Sequence, residues 1–234
     1  MKLPVVLATA NPDKAQEICE ILTEVLGHSL AAWALTFDDD TVAFYVTTPE
    51  RLADELADLP RMLQAPDVAE TGSTLEENAR IKARGVAAAI GLPAIADDTG
   101  LEVDALGGAP GVRAARYAGF DATYTDNVEK LLAELARAGA GHDLAARTAR
   151  FATVATACWP DGRELSVRGE VEGVIAPEPR GAGGFGYDPV FAPIDGDGRT
   201  FAEMSTEEKH VLSHRGRAFR ALAAALVDVN GSDG

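Results

Sequence analysis

The stretch LPVVLATANPDK, residues 3–14, decides the fold class. Its apolar first half predicts a short buried strand over residues 3–8, and its polar second half predicts a turn. A helix then follows to about Leu26, with Gly27 as its stop and apolar residues at helical spacing at Ile18, Ile21, Leu22 and Val25. A strand, a polar turn and a helix form the first layer of an α/β protein.

The rest of the chain alternates between predicted strands and helices. Apolar runs predict strands at 41–47, 93–96, 101–105, 148–157, 164–175 and 189–191. Helical spacing predicts helices at 73–90, at 125–138, from Pro49 onward, and as one long final helix from Ser205. The final helix and the helix at 73–90 both begin with capping-box spacing, Ser205 with Glu208 and Ser73 with Glu76.

The bulk composition is that of a soluble globular protein. Hydrophobic residues make up 47% of the 234 residues, charged residues make up 25%, and the formal net charge is −16. An anionic surface repels nucleic acid and anionic membranes, so we expect neither as a partner. The chain has no apolar run of about 18 residues, as a membrane helix requires. Because its start lacks a secretory signal, we expect a cytoplasmic protein.

The polar turn after the first strand is a candidate anion site. Thr9, Asn11 and Lys14 lie where a strand passes into a helix, and the backbone N–H groups and dipole of a helix start favour an anion. Lys14 adds a full positive charge. A plain N-capped turn explains the same residues, and the sequence leaves both interpretations open.

The adjacent carboxylates Asp97 and Asp98 follow the apolar residues 93–96. Ligands of open α/β sheets bind at the carboxyl ends of strands, and two buried carboxylates are costly without a cation. Mg²⁺ prefers such oxygen ligands. An Asx turn that ends the strand is the alternative, although the apolar segments on both sides weigh against it.

Two later segments add ligand-binding groups. The loop GAGGFGYD at 181–188 matches G-x-G-x-x-G only as a string, because Pro189 leads into an extended segment instead of a helix. The loop can still bring backbone close to a planar ligand, with Phe185 or Tyr187 available to stack on a base. The start of the final helix is rich in donors and cations, at Lys209, Ser213, His214, Arg215 and Arg217.

Five stretches, in this order, resemble the nucleoside-triphosphate pyrophosphatases that clear inosine and xanthosine triphosphates, the dITP/XTP pyrophosphatases. They are VLATANPDK at 6–14, ETGSTLEENARIKA at 70–83, IADDTGLEVDALGGAPGVRAARY at 95–117, GGFGYDP at 183–189 and SHRG at 213–216. The resemblance covers residues 1–27 and 68–227. It implies an α/β fold, elongated and two-lobed, with a mixed β-sheet, flanking helices and a site in the cleft between the lobes. One such domain would span residues 1–234, and its members are usually homodimers.

The resemblance also implies roles for particular residues. Asp98 would be the general base and would hold Mg²⁺ together with Glu70, while Asp97 and Glu77 would support the metal through water. The substrate-binding residues would be Thr9, Ala10, Asn11, Pro12, Asp13, Lys14, Lys82, Thr99, Phe185, Gly186, Tyr187, Asp188, Lys209, His214 and Arg215. Thr9, Asn11 and Lys14 would hold the triphosphate, with Lys82 and Lys209 assisting, and Thr99 would touch the substrate. The residues from Phe185 onward, apart from Lys209, would frame the purine. The chain departs from the family pattern at Ala10, where glycine is usual, and at 28–67, which is longer than the usual connection.

The expected activity is Mg²⁺-dependent hydrolysis of ITP, dITP and XTP to the monophosphate and pyrophosphate, which cleanses the nucleotide pool. Hydrogen-bond donors such as Arg215 would accept a 6-keto base and penalise a 6-amino base. Two alternatives are a pyrophosphatase for modified pyrimidine or 7-methylguanine nucleotides and a non-catalytic nucleotide sensor. The joint presence of Glu70, Lys82 and Asp98 favours an enzyme over a sensor.

Overall fold

The computed structural model describes residues 5–27, 31–37, 40–47 and 68–231. The helices of this part of the chain are α1 (Pro12–Leu26), α2 (Leu75–Ile90), α3 (Tyr124–Arg137), α4 (Thr206–Leu212) and α5 (His214–Gly231). Its strands are β1 (Val5–Leu7), β2 (Ala31–Phe37), β3 (Asp40–Thr47), β4 (Ala94–Val103), β5 (Pro110–Gly111), β6 (Thr148–Cys158), β7 (Glu164–Ile175) and β8 (Phe191–Pro193). The helix predicted from Pro49 lies outside the described residues.

The strands pair into a mixed sheet in the order β2-β3-β1-β4-β6-β7-β8, with β5 paired to β4. Strand β1 runs parallel to β4 and antiparallel to β3. A parallel neighbour requires a crossover connection, and α1 and α2 lie in the chain between β1 and β4. The predicted α/β class with a mixed sheet and flanking helices is therefore confirmed.

The chain divides into two compact units. The first consists of Met1–Asp98, Val154–Arg168 and Ala218–Gly234, and the second of Thr99–Thr153 and Gly169–Arg217. The predictions of a single domain over residues 1–234 and of a site in a cleft between lobes stay predictions. Among the described residues, no helix combines the length and the apolar character that crossing a bilayer demands.

The core of the first unit lies on the apolar faces of α1 and α2. The buried face of α1 packs with β1 and with the later part of α5, through residues that include Val5, Leu7, Ile18, Ile21, Leu22, Phe219 and Leu222. The apolar face of α2 packs with β1 and β4, through Val6, Ala83, Val86, Ala87, Ile90 and Ala94. Full burial of one large apolar side chain stabilises the fold by about 1.5–3 kcal/mol, so these faces fix the positions of both helices.

The core of the second unit combines aliphatic side chains with a group of aromatic rings. Phe151, Phe191 and Phe201 are buried. The ring centroid of Phe191 lies 4.7 Å from that of Phe151 and 5.3 Å from that of Phe201. Leu131 and Leu135 of α3 pack into the same cluster. This core supports the loop at 181–188 and the start of α5.

The ends of α1 follow the predicted signals. Asn11 is the N-cap, Pro12 is the first helical residue, and Gly27 ends the helix in the left-handed conformation at φ 66°. At α2 the predicted cap was wrong by one residue. Thr74 is the N-cap, and its side chain accepts from the backbone N–H of Glu77. The Glu77 carboxylate accepts from the backbone N–H and the hydroxyl of Ser73. The capping pair is therefore Thr74 with Glu77, one residue later than the predicted Ser73 with Glu76.

Two other predicted boundaries were also wrong. The acidic pair was expected in a turn between two strands, but β4 runs without interruption through Asp97 and Asp98. The long final helix is two helices, because Ser213 is extended at ψ 154° and its hydroxyl accepts from the backbone N–H of Gly216. Ser205 does cap α4 through a capping box with Glu208, as predicted.

Candidate functional site

The turn before α1 is an ordered N-terminal cap. The hydroxyl of Thr9 accepts from the backbone N–H of Asn11, at 3.1 Å. The Asn11 side chain accepts in turn from the backbone N–H of Lys14, at 3.1 Å. Ala10, Pro12 and Asp13 are exposed around this turn. The plain N-capped turn is thus present, and the predicted contact with a phosphate stays a prediction.

Lys82 is the centre of a charged cluster in the first unit. Its ammonium lies 3.0 Å from Glu70 Oε1, 3.2 Å from Asp98 Oδ1 and 2.6 Å from the backbone carbonyl of Asp97. The Lys82 side chain is 12% exposed, so this ammonium is held chiefly by protein oxygens. The arrangement brings together three segments that lie apart in the sequence.

Lys14 joins the same cluster from α1. Its ammonium lies 3.4 Å from Asp97 Oδ2, whose side chain is almost fully buried. The two lysines therefore each contact one member of the acidic pair, Lys14 at Asp97 and Lys82 at Asp98. This pairing explains why two adjacent carboxylates are tolerated inside a buried strand.

Burial and charge shift the pKa values of this cluster in identifiable directions. Burial raises the pKa of Asp98, and the nearby ammonium groups of Lys82 and Lys14 offset that rise only in part. Burial alone would lower the pKa of Lys82, but the carboxylates of Asp98, Asp97 and Glu70 outweigh it and raise that pKa. Lys82 thus stays charged, while Asp98 becomes a better proton acceptor than an ordinary aspartate.

The donor set of this cluster fits Mg²⁺. Glu70 and Asp98 each direct one carboxylate oxygen at the same cationic position, now filled by the Lys82 ammonium. Within the described ranges, no group of three or more histidine, cysteine or acidic side chains could enclose a metal. Mg²⁺ commonly binds through one or two carboxylates and completes its shell with water and phosphate oxygens. Two converging carboxylates therefore suit a metal whose other ligands are water molecules or phosphate oxygens.

Glu77 differs from the other acidic residues of this region. It is exposed, and its carboxylate accepts hydrogen bonds from the backbone and hydroxyl of Ser73. These hydrogen bonds lower its pKa. Glu77 thus stabilises the start of α2, and the predicted support of a metal through water stays a prediction.

Phe185 is the centre of an aromatic and cationic cluster in the second unit. The Lys209 ammonium lies 4.9 Å from the centre of its ring, and the Arg215 guanidinium lies 5.4 Å from it. The ring of Tyr124 lies 5.9 Å away on another side. A partly exposed ring flanked by two cations suits a flat, electron-rich ligand such as a base.

The glycine-rich loop around Phe185 is shaped by Asp188. The Asp188 carboxylate accepts from the backbone N–H of Phe185 and from the Lys209 ammonium, each at 2.8 Å. A side chain at Gly184 would collide with that carboxylate, and Gly184 has φ +67°. Gly186 also has a positive φ, of 64°, so this loop depends on glycine for its path.

Two predicted purine-framing side chains lie in the core. The hydroxyl of Tyr187 donates to the carbonyl of Ala114 at 2.9 Å, and the residue is 5% exposed. The ring of His214 is buried and stacks on Phe151, with centroids 4.4 Å apart. The structure therefore gives these side chains packing roles, and direct contact with a purine stays a prediction.

Thr99 lies in a buried hydroxyl and guanidinium network. Its hydroxyl is 2.7 Å from that of Thr153, which is fully buried. Arg215 donates to the same Thr99 oxygen at 3.3 Å. Thr153 thus contacts the predicted substrate-binding residue Thr99 directly, and Thr99 in turn contacts Arg215.

The structure brings the predicted residues together in two sets. Lys14, Glu70, Lys82, Asp97 and Asp98 meet in the first unit. Thr99 with Arg215, and Phe185 with Asp188 and Lys209, meet in the second. Three residues that contact these clusters were not predicted from the sequence: Tyr124, Thr153 and Asn78. Only Asn78 is unusual in the sequence, because asparagine is a poorer helix former than most residues of its helix.

The described residues thus form an α/β protein with a lysine–carboxylate cluster in the first unit and an aromatic–cationic cluster in the second. The chain belongs to the Ham1 family, whose model matches residues 5–225. It is 41% identical to a protein of Streptomyces avermitilis over 227 residues, 97% of this chain and 98% of that protein. It is 44% identical to one of Thermus thermophilus over 226 residues, 97% of this chain and 93% of that protein.

Both of these relatives carry the name dITP/XTP pyrophosphatase. The fold is also that of a solved HAM1 protein from Coxiella burnetii, with a TM-score of 0.70 and 37% sequence identity. That match covers 96% of this chain and 98% of the other. The family assignment thus extends over nearly the whole chain.

Proposed function

We propose that this protein hydrolyses dITP, ITP and XTP to the nucleoside monophosphate and pyrophosphate, with Mg²⁺ as cofactor, and so removes these nucleotides from the pool. The observation that carries the proposal is the cluster in which Lys14 and Lys82 contact Asp97, Asp98 and Glu70. Buried carboxylates with cations beside them suit both a divalent metal and a polyphosphate. The names of the relatives support the same substrate class.

The lysines would bind the triphosphate. Lys14 and Lys82 carry their ammonium groups on flexible four-carbon stems, so each group could move from carboxylate to phosphate oxygens when the substrate binds. The N-terminus of α1, with Thr9 and Asn11, would add backbone and side-chain donors for the same anion. Lys209, which lies beside Phe185, would assist in binding the triphosphate. Positive charge at the leaving pyrophosphate stabilises the charge that develops there.

Asp98 would act as the general base. Its carboxylate would hold a water molecule, accept one proton from it and direct the oxygen at the α-phosphorus. The new bond joins the water oxygen to the α-phosphorus, and the bond from that phosphorus to the bridging oxygen breaks, so that pyrophosphate leaves. Burial favours this role because it raises the pKa of Asp98 and so strengthens it as a base.

Glu70 and Asp98 would hold the Mg²⁺ through their carboxylate oxygens, since both already face one cationic position. When bound, the metal would offset negative charge on the phosphate oxygens. Lys14 and Asp97 are the other charged side chains of the cluster, and their ion pair would keep the net charge of the cluster close to balance before the substrate arrives.

The Phe185 cluster would select the base. A purine would stack on the Phe185 ring, and Arg215 would donate to a 6-keto oxygen. A 6-amino group would bring donor against donor, and the unpaired polar groups would be penalised. We therefore expect the enzyme to prefer dITP and XTP over ATP and dATP.

A substrate panel with product identification tests the proposal. The panel contains ITP, dITP, XTP, ATP, dUTP and 7-methyl-GTP, each with Mg²⁺ and with EDTA. We expect release of pyrophosphate from the first three and none after chelation. Orthophosphate as the product would exclude this reaction, and preference for dUTP or 7-methyl-GTP would assign the enzyme to a different substrate.

We include a homodimer and a cytoplasmic location in the proposal, and the family resemblance supports the homodimer. Light scattering of the purified protein tests the first. A mass twice that of the 24.5 kDa chain is expected, and a mass equal to one chain would exclude the dimer.

A further inference from the structure

Asn78 is a fully buried amide on α2, and both ends of its side chain are engaged. Its Oδ1 accepts from the backbone N–H of Gly72 at 2.8 Å, and its Nδ2 donates to Asp98 Oδ2 at 3.1 Å. One amide therefore links the segment that follows Glu70 to the strand that carries Asp98. Asparagine is a poor helix former, so its place inside α2 calls for such a contact.

Gly72 allows this contact by its lack of a side chain. A Cβ at Gly72 would lie 2.6 Å from Asn78 Oδ1 and 2.6 Å from the Cβ of Glu77. Neither neighbour can yield, because one belongs to a buried hydrogen-bonded amide and the other is the first side-chain atom of a helical residue. The backbone of this segment thus lies against α2 only with glycine at position 72.

The two hydrogen bonds of Asn78 have a joint effect on the carboxylates. Asp98 Oδ2 is engaged by Asn78, which leaves Oδ1 directed at the Lys82 ammonium. The same ammonium contacts Oε1 of Glu70, which lies two residues before Gly72. Fixing Gly72 and Asp98 with one amide therefore restricts how far the two carboxylates can separate.

We propose that Asn78, together with Gly72, is a positioning pair that sets the placement of Glu70 and Asp98 for a divalent metal. The inference rests on the proposed function, which assigns those two carboxylates to Mg²⁺. Asn78 would act through its hydrogen bonds to Gly72 and Asp98. An amide suits this place because one side chain must both accept and donate, which ionised aspartate and leucine cannot do.

Metal affinity in the absence of nucleotide tests the proposal. Mn²⁺ serves as the paramagnetic probe, and its binding to the full chain is titrated by EPR. Asn78→Leu is expected to weaken Mn²⁺ binding by about 10- to 100-fold, the range found when outer-shell partners of metal ligands are removed. Mg²⁺ should displace the bound Mn²⁺ in the parent protein, which links the probe to the cofactor.

Asn127→Leu is the matched control. Asn127 is buried on α3, accepts from the backbone N–H of Ala118 at 2.8 Å and donates to the carbonyl of Ala115 at 3.1 Å. It thus resembles Asn78 in helix position and bonding but contacts no carboxylate through these hydrogen bonds. Both variants should lower the melting temperature, and only Asn78→Leu should weaken Mn²⁺ binding.

Gly72→Ala tests the same contact from its other side, and it carries the test if Asn78→Leu does not fold. We expect at least tenfold weaker Mn²⁺ binding. Gly85→Ala, on α2, is its control, because the three atoms nearest to the added Cβ would all be side-chain carbons of Val68, at 2.8 to 3.7 Å. A folded Asn78→Leu or Gly72→Ala protein with parental Mn²⁺ affinity would overturn the proposal.

The outcome is separable from that of the proposed function. If the parent binds Mn²⁺ but releases no pyrophosphate from dITP, the proposed function fails while the positioning pair can still be confirmed. If the parent releases pyrophosphate and both variants bind Mn²⁺ normally, only the positioning pair fails.

Discussion

Replacing Asp98 with asparagine removes one negative charge and keeps the shape of the side chain. In the parent, Oδ1 of Asp98 accepts from Lys82 at 3.2 Å and Oδ2 accepts from Asn78 at 3.1 Å. An asparagine has only one accepting oxygen, so Asp98→Asn can satisfy one of these donors and must turn its NH₂ toward the other. Lys82 keeps Glu70 and the Asp97 carbonyl as partners, so its ammonium is not left alone.

The structure therefore predicts a large effect on catalysis and a smaller one on stability. A positioned general base contributes about 10²- to 10⁴-fold to the rate, and an amide cannot accept the proton. We expect kcat to fall by at least about 100-fold. Losing one hydrogen bond to a charged group should change the free energy of unfolding by no more than about 3 kcal/mol.

The assay is pyrophosphate release from dITP at saturating Mg²⁺, with the fold checked by circular dichroism. Asp104→Asn is the control, because Asp104 is exposed and accepts from the Thr148 hydroxyl at 2.6 Å instead of from a lysine of the cluster. A folded Asp98→Asn protein with near-parental turnover would refute the role of Asp98 as base.

Three further predictions address the base, the pH dependence of stability and the core. Phe185→Ala should raise KM for ITP about 5- to 150-fold, equivalent to about 1–3 kcal/mol of stacking, and leave inhibition by tripolyphosphate unchanged; equal losses for both ligands would contradict base stacking. Arg199 holds the pKa of Glu208 at about 2 against an ordinary 4.5, so the stabilisation it provides is present above pH 4.5 and is lost as the pH falls toward 2. The melting-temperature gap between the parent and Glu208→Gln should shrink over that interval, and a gap independent of pH would disprove this linkage. Leu131→Ala should cost about 2–5 kcal/mol in urea unfolding, because Leu131 is fully buried, and a cost below 1 kcal/mol would argue against its core position.

Local patterns were enough to predict much of the fold. Within the described residues 5–26, the predicted strand, turn and helix are confirmed as β1 and α1, because the periodicity and both caps lie in one continuous stretch. The continuity of β4 was not predictable. Two adjacent aspartates indicate a break unless Lys14 and Lys82 approach them, and those approaches depend on where α1 and α2 pack.

Part of the candidate site could likewise be predicted from the sequence, and part of it could not. Charged residues such as Lys82 and Asp98 could be proposed from the motifs, since their chemistry suits a metal and a phosphate. The packing roles of Tyr187 and His214 could not, because their partners Ala114 and Phe151 are distant in sequence. Asn78 stands in a quoted motif, yet only the coordinates show its two hydrogen bonds.

Hydrolysis of dITP in ¹⁸O-labelled water shows which phosphorus atom is attacked. In the proposed mechanism, the attacking oxygen comes from a water that Asp98 activates at the α-phosphorus. Mass spectrometry should therefore find one ¹⁸O atom in the deoxyinosine monophosphate and none in the pyrophosphate. Label in the pyrophosphate, or labelled orthophosphate, would contradict the account.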